Sequence, residues 1–172
     1  MESKKIIKVT RELAEEVSYI YAASWKTAYR GIVPQSYLDG LSQEQWVPFL
    51  SDPQRAAFAM EIDGVLAATV SVSPAREKEM EGWGEIISIY VLPKYFRKGC
   101  GRELFSYGVT LLQTMGFTNI YLWVLEDNKG AREFYHKNGF YPNGDKQTIC
   151  IEGKPLTELR YIHTIKQEMP ME

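Results

Sequence analysis

The chain has 172 residues, 45% hydrophobic and 24% charged, with a net charge of −2. That length makes one domain with a real core, so residues 1–172 are read as a single unit. Near-neutral charge gives no electrostatic reason to expect nucleic acid. No apolar run has the form of a leader or a membrane span. The two cysteines, Cys100 and Cys150, make neither a disulfide framework nor a zinc set, and a cytoplasmic, reduced protein is expected.

Residues 5–9 read as a first strand. Thr10 is a suitable cap for a helix running to about Tyr29, with Glu12, Glu15 and Glu16 in its early turns. Leu13, Val17, Ile20, Tyr21 and Ser24 recur at helical spacing, and Gly31 and Pro34 end the run. A shorter helix is expected over 42–50 with Ser42 as cap. Phe58, Met60 and Ile62 alternate with smaller or polar residues, Asp63-Gly64 is a two-residue hairpin signal, and 65–72 is the returning strand. Residues 73–82 are polar and charged and read as a mobile loop. The strand at 83–92 runs into a basic turn. The helix after it carries Leu104, Phe105, Gly108, Leu111, Leu112 and Met115 on one face and stops at Gly116. A strand follows at 119–124, then a helix from Asp127 or Asn128 to Gly139. Phe140-Tyr141 opens another strand, and 149–151 and 159–165 are strands, with Glu152-Gly153 as a turn between.

The basic turn is the most informative stretch. Arg97, Lys98, Gly99, Cys100, Gly101 and Arg102 lie between the end of a strand and the start of a helix. A helix start presents unpaired backbone N–H groups at the positive end of its dipole, which suits a phosphate or pyrophosphate. Glycines let a ligand lie against the main chain. Helix packing would also explain them. The turn is not a Walker A loop, and it is not a Rossmann fingerprint: Leu104 stands where a third glycine is needed.

The string from Asn128 to Phe140 has the form N-x-x-A-x-x-F-Y-x-x-x-G-F. With the G-x-G turn upstream, it resembles the GNAT superfamily of acyl-CoA-dependent N-acetyltransferases over residues 84–141. The turn matches the family's pyrophosphate loop and the later string its second motif. One departure is Phe96, at a position where the family often has Gln or Arg. The resemblance implies an α/β fold: a splayed, mixed, mostly antiparallel sheet with helices on both faces. It implies an acetyl-CoA donor, a primary amine acceptor, direct transfer in a ternary complex and no metal. Bulk charge and the lack of a long apolar run lead to the expectation of no nucleic-acid or membrane partner, and a homodimer is allowed for.

It also implies residue roles. The turn from Arg97 to Arg102 would hold the pyrophosphate, and an N–H of Ile89, Tyr90 or Val91 would polarise the thioester carbonyl. Tyr135 would protonate the leaving thiolate, or else be a core aromatic. Asn128 would cap its helix and also contact the cofactor's pantetheine arm. Glu85 would be the base acting through water, or an ordinary strand carboxylate. Trp25 and Tyr29 share a helix face and would either wall the acceptor site or pack the core. Cys100 is read as a packing residue, and His136 and His163 as structural or surface groups. Tyr135 and Glu85 argue against a non-catalytic acyl-CoA-binding module, and the missing phosphate motifs argue against a nucleotide-binding protein.

Overall fold

The computed structural model describes residues 2–53 and 55–165. Seven strands form one sheet. β1 (Lys4–Lys8), β2 (Ala56–Ile62), β3 (Val65–Pro74) and β4 (Gly84–Val91) are antiparallel neighbours in chain order. β5 (Asn119–Leu125) joins β4 in parallel. β6 (Tyr141–Ile151) and β7 (Lys154–Thr164) form a hairpin, with β7 next to β5 and β6 at the edge. The helices are α1 (Ala14–Ala28), α2 (Gln35–Asp39), α3 (Val47–Leu50), α4 (Cys100–Thr114) and α5 (Lys129–Lys137). This is the mixed, mostly antiparallel α/β sheet expected. None of the described helices is long and apolar enough to cross a membrane.

The pleat sorts the core into two layers. Met60 and Ile62 of β2 pack with Leu104, Phe105 and Leu112 of α4, while Ala57 and Ala59 pack with Val17, Ile20 and Tyr21 of α1. β3 is buried from Leu66 to Ser73 because helices cover both its faces. Both hairpins carry the backbone their turn residues predict. Asp63 and Gly64 have φ of 49° and 83°, and Glu152 and Gly153 have 47° and 79°.

Several expectations shift. Thr10 begins a 3₁₀ turn, Arg11–Leu13, and α1 starts only at Ala14. The helix expected over 42–50 shortens to α3, and α2 forms after Pro34, which cannot continue a helix but leads into one. The strand opening at Phe140-Tyr141 extends to Ile151. Pro142, Asn143, Gly144 and Asp145 lie at a register shift of this edge strand, where proline and an extra residue are tolerated.

The segment expected to be a mobile loop is fastened at several points. Arg160 of β7 is 5% exposed and reaches across to it. Its guanidinium donates to Glu77 at 2.5 Å and to Asp145 at 2.5 Å, and lies 4.5 Å above the Trp123 ring. Trp123 Nε1–H also donates to Glu77. A polar segment with one 3₁₀ turn, Lys78–Met80, is thus anchored by charge pairing to strands far along the chain.

Candidate active site

The basic turn is built as follows. After β4, the Tyr95 N–H donates to the Leu92 carbonyl at 2.8 Å and the Phe96 N–H to the Pro93 carbonyl at 3.1 Å, closing a 3₁₀ turn. Arg97 then takes φ of 58° and Gly99 φ of 80°. Two left-handed residues so close together reverse the chain and start α4 at Cys100. The N–H groups of Cys100, Gly101 and Arg102 have no intrahelical acceptor. Arg97, Lys98 and Arg102 are exposed, and none forms an ion pair with a described residue. Fixed N–H donors and free cations together suit a multiply charged phosphate group.

The two glycines have different jobs. Gly99 supplies the left-handed backbone, with open space around its missing Cβ. A Cβ on Gly101 would point into the protein, 3.4 Å from Val91 and 3.6 Å from Phe134. These are ordinary contact distances, so the missing Cβ faces Val91 and Phe134 and not the mouth of the turn, and the expectation that it opens space for a ligand is corrected. Cys100 is buried in the same core, and Cys150 lies exposed on β6.

β4 and β5 pair only at Gly84 with Ile120 and at Glu85 with Tyr121, and then diverge. On its other side β4 stays paired with β3, except for a register shift that leaves Ile87 without an opposite number. The Leu92 N–H donates to the Ala67 carbonyl of β3 at 2.9 Å. By alternation the Tyr90 N–H also faces β3, and those of Ile89 and Val91 face the splay. Of the three amides considered from sequence, two are thus presented to the opening. Tyr90 reaches the site through its side chain instead.

A cleft of about 260 Å³ occupies the splay. Trp25, Tyr29, Tyr90, Asn128, Tyr135 and Glu158 are among its walls. That volume suits a small acceptor and the reactive end of a donor, not a whole nucleotide cofactor. Trp25 Nε1–H donates to the Tyr90 hydroxyl at 3.0 Å, and the Trp25 and Tyr29 rings meet edge to face at 4.7 Å. The pair packs ring against ring and also lines the cleft. Burial, with Tyr90 nearby, pushes the Tyr29 phenol well above its ordinary pKa.

Tyr135 projects from α5 against Phe105, Phe134 and Tyr161, with ring centroids at 5.7, 5.6 and 6.4 Å. Its hydroxyl forms no hydrogen bond with a described residue. Burial first, and Tyr90 second, raise its pKa, so the phenol keeps its proton through the physiological range. Asn128 caps α5 by accepting the Ala131 N–H at 3.2 Å on Oδ1, and its amide NH₂ remains to donate.

Glu85 is 1% exposed. Its Oε1 accepts from Arg76 Nη2 at 2.7 Å, and its Oε2 accepts from Arg76 Nε at 3.0 Å and from the Arg76 backbone N–H at 3.2 Å. The partner comes from the 74–82 segment, and nothing in the sequence pairs the two. Glu158 of β7 is the other carboxylate of the cleft. It was not singled out from sequence, because a lone acid in a strand looks like a solvated face. One signal was available: Glu158 and Arg160 are the only charges in the β7 stretch Leu156–Ile162, and both share one face. Tyr90 and Arg76 were missed as side chains for the same want of a local motif. His163 Nδ1–H donates to the Gly139 carbonyl at 2.8 Å, and the ring stacks on Phe140, a structural role. Among the described residues no group of three or more His, Cys, Asp or Glu could hold a metal ion.

Comparison with known proteins gives a consistent result. The model of the acetyltransferase (GNAT) family matches residues 15–140. The N-acetyltransferase YuaI of Bacillus subtilis is 32% identical over 117 residues, covering 66% of this chain and 67% of the relative. A spermidine N(1)-acetyltransferase of Thermoplasma acidophilum is 25% identical over 142 residues, covering 80% of this chain and 88% of the relative. Among solved structures, the PaiA N-acetyltransferase of Thermoplasma acidophilum, in complex with coenzyme A, superposes with a TM-score of 0.72 at 20% identity, covering 94% and 99% of the two chains. The ribosomal-protein-S18-alanine N-acetyltransferase of Escherichia coli superposes with a TM-score of 0.73 at 16% identity, covering 98% and 97%. With the strand–turn–helix loop, the splayed sheet and the family match across most of the chain, the conclusion is direct: this chain belongs to the acetyltransferase (GNAT) family and is an acetyltransferase.

Proposed function

We propose that the cleft moves an acetyl group from acetyl-CoA to a primary amine, directly, with both substrates bound at once. The observation that carries this is one run of elements: β4 turns the Ile89 and Val91 N–H groups to the splay that Tyr135 lines, and leads directly into the cationic turn that starts α4. The coenzyme A of the Thermoplasma structure and the spermidine in the relative's name agree with such a donor and acceptor.

The residues present fit acetyl-CoA, which supplies the acetyl group as a reactive thioester. Gly99, Cys100, Gly101 and Arg102 would hold the pyrophosphate through main-chain N–H groups, with Arg97, Lys98 and Arg102 adding charge. The Asn128 amide would donate to the pantetheine arm. The Ile89 or Val91 N–H, held by the β3 ladder, would stabilise negative charge on the acyl oxygen as the amine adds. Tyr135 would give its proton to the departing sulfur. Trp25, Tyr29 and Tyr90 would wall the acceptor.

Glu85 holds less freedom than the sequence reading gave it. Accepting a proton would break its two-point pairing with Arg76 in a buried place, so we assign it to fixing Arg76 and the 74–82 segment beside the acceptor.

Calorimetric titration with CoA, followed by initial rates with acetyl-CoA over an amine panel, tests the reading. Saturable CoA binding and intersecting double-reciprocal lines are expected. Parallel lines would refute direct transfer, and binding without transfer to any amine would refute the reaction.

A further inference from the structure

The amine must lose a proton before it can attack, since an alkylammonium with a pKa of about 10 has no lone pair at neutral pH. The cleft offers two carboxylates for that proton, and they differ in their company. Glu85 is bound at both oxygens by Arg76. Glu158 forms no ion pair with a described residue, and its one hydrogen-bond donor is the neutral Gln147 amide, at 2.5 Å on Oε2. We propose that Glu158 is the carboxylate that receives the acceptor's ammonium group and takes its proton. This rests on the transfer reaction proposed above.

The surroundings favour it. Glu158 is partly buried and lines the same cleft as Tyr135, Tyr90 and Trp25. From the 74–82 segment Arg76 and Glu77 act on it. Arg76 is already held by Glu85, and Glu77 by Arg160 and Trp123. From β6 it meets Gln147, while Lys146 is directed to Glu126. Two places along β7, Arg160 is occupied by Glu77 and Asp145. Tyr90 of β4 and Tyr29 beyond α1 feel its charge. Among the described residues no cation pairs with Glu158, so an arriving ammonium supplies the missing charge. The aromatic rings of Trp25, Tyr29 and Tyr90 suit its approach. Burial, aided by Glu77, raises the carboxyl's pKa, which makes it a better proton acceptor than an exposed glutamate.

The protons balance. The ammonium gives one proton to Glu158. The free lone pair forms the C–N bond, and the acetyl C–S bond breaks. Sulfur takes the proton of Tyr135, and the surplus proton on nitrogen returns to the Tyr135 oxygen. The proton on Glu158 leaves to solvent with the product.

The test compares Glu158→Gln, Glu158→Asp and Glu85→Gln, using acetyl-CoA with a panel of primary alkylamines and diamines across neutral to alkaline pH. Glu158→Gln is expected to lose about 10²–10⁴-fold in kcat/KM near neutral pH. The deficit should shrink as pH approaches the amine's own pKa, where free amine is already present. CoA affinity by calorimetry should be unchanged. Glu158→Asp should restore part of the rate with the wild-type pH dependence, a rescue that a packing role would not give. A Glu158→Gln deficit equal at every pH would overturn the assignment. So would a shrinking deficit seen in Glu85→Gln instead. A wild-type protein that binds CoA and acetylates no amine would overturn the transfer reaction itself, a failure distinct from either of those.

Discussion

Tyr135→Phe is an unusually clean perturbation in this fold. The phenol oxygen has no hydrogen-bond partner among the described residues, so removing it strands no other polar group. Such a deletion is close to neutral for stability. The ring keeps its contacts with Phe105, Phe134 and Tyr161. Folding stability and CoA affinity should therefore be nearly unchanged. The chemical step should not be. A general acid contributes about 10²–10⁴-fold, or about 2.7–5.4 kcal/mol of barrier. The assay is thiol release at saturating acetyl-CoA and amine, with a poor amine chosen so that chemistry limits kcat. Calorimetric CoA binding and a thermal melt run beside it. The loss should also shrink for an acyl donor whose leaving thiol is more acidic, because that thiolate needs less help. An unchanged kcat under chemistry-limited conditions would refute the reasoning and leave Tyr135 as a packing residue.

Arg76→Ala leaves Glu85 charged and unpaired at 1% exposure; because Arg76 itself is 45% exposed, a loss at the low end of the buried-pair range, about 3 kcal/mol, is expected by urea denaturation, and adding Glu85→Gln should recover part of it. Arg97→Gly relieves a left-handed non-glycine backbone and should raise stability by up to about 1 kcal/mol while weakening CoA binding, a pair of opposite signs that melts and calorimetry can separate. Gly101→Ala should fold and bind CoA, because its Cβ meets Val91 and Phe134 at ordinary contact distance; Gly101→Asp should instead lose stability, as a carboxylate is pushed against those side chains. The Asn143 hydrogen bond first, and Arg160 second, hold the Asp145 carboxyl below its usual pKa. A depressed carboxyl contributes stability above its unfolded pKa of about 3.9 and loses it as pH falls through the folded value, so Asp145→Asn should lower the neutral-pH melting temperature and flatten the acid limb.

Much of this protein is legible along the chain. Hairpin turns, the left-handed glycines and the Asn128 cap are fixed by short-range stereochemistry, and residues a few places apart suffice to read them. The strand–basic turn–helix unit is equally local, so the loop proposed to hold the pyrophosphate could be placed from sequence. Tyr135 followed because its motif is contiguous. The acceptor side is different. Glu85 met Arg76 only when the 74–82 segment folded back on β4, and Glu158 came into the cleft only through the β5–β7 pairing. Which β4 amides face the opening depended on a register shift and on where β4 and β5 part. The long edge strand β6 overrode turn residues because β7 offered a ladder, and a polar loop was held because Arg160 lay buried opposite it. Backbone preference acts over a few residues and is written in them. Charge pairing and strand register act across distances that the sequence does not measure, and they pair Glu85 with Arg76 while Glu158 lines the cleft with no ion pair to a described residue.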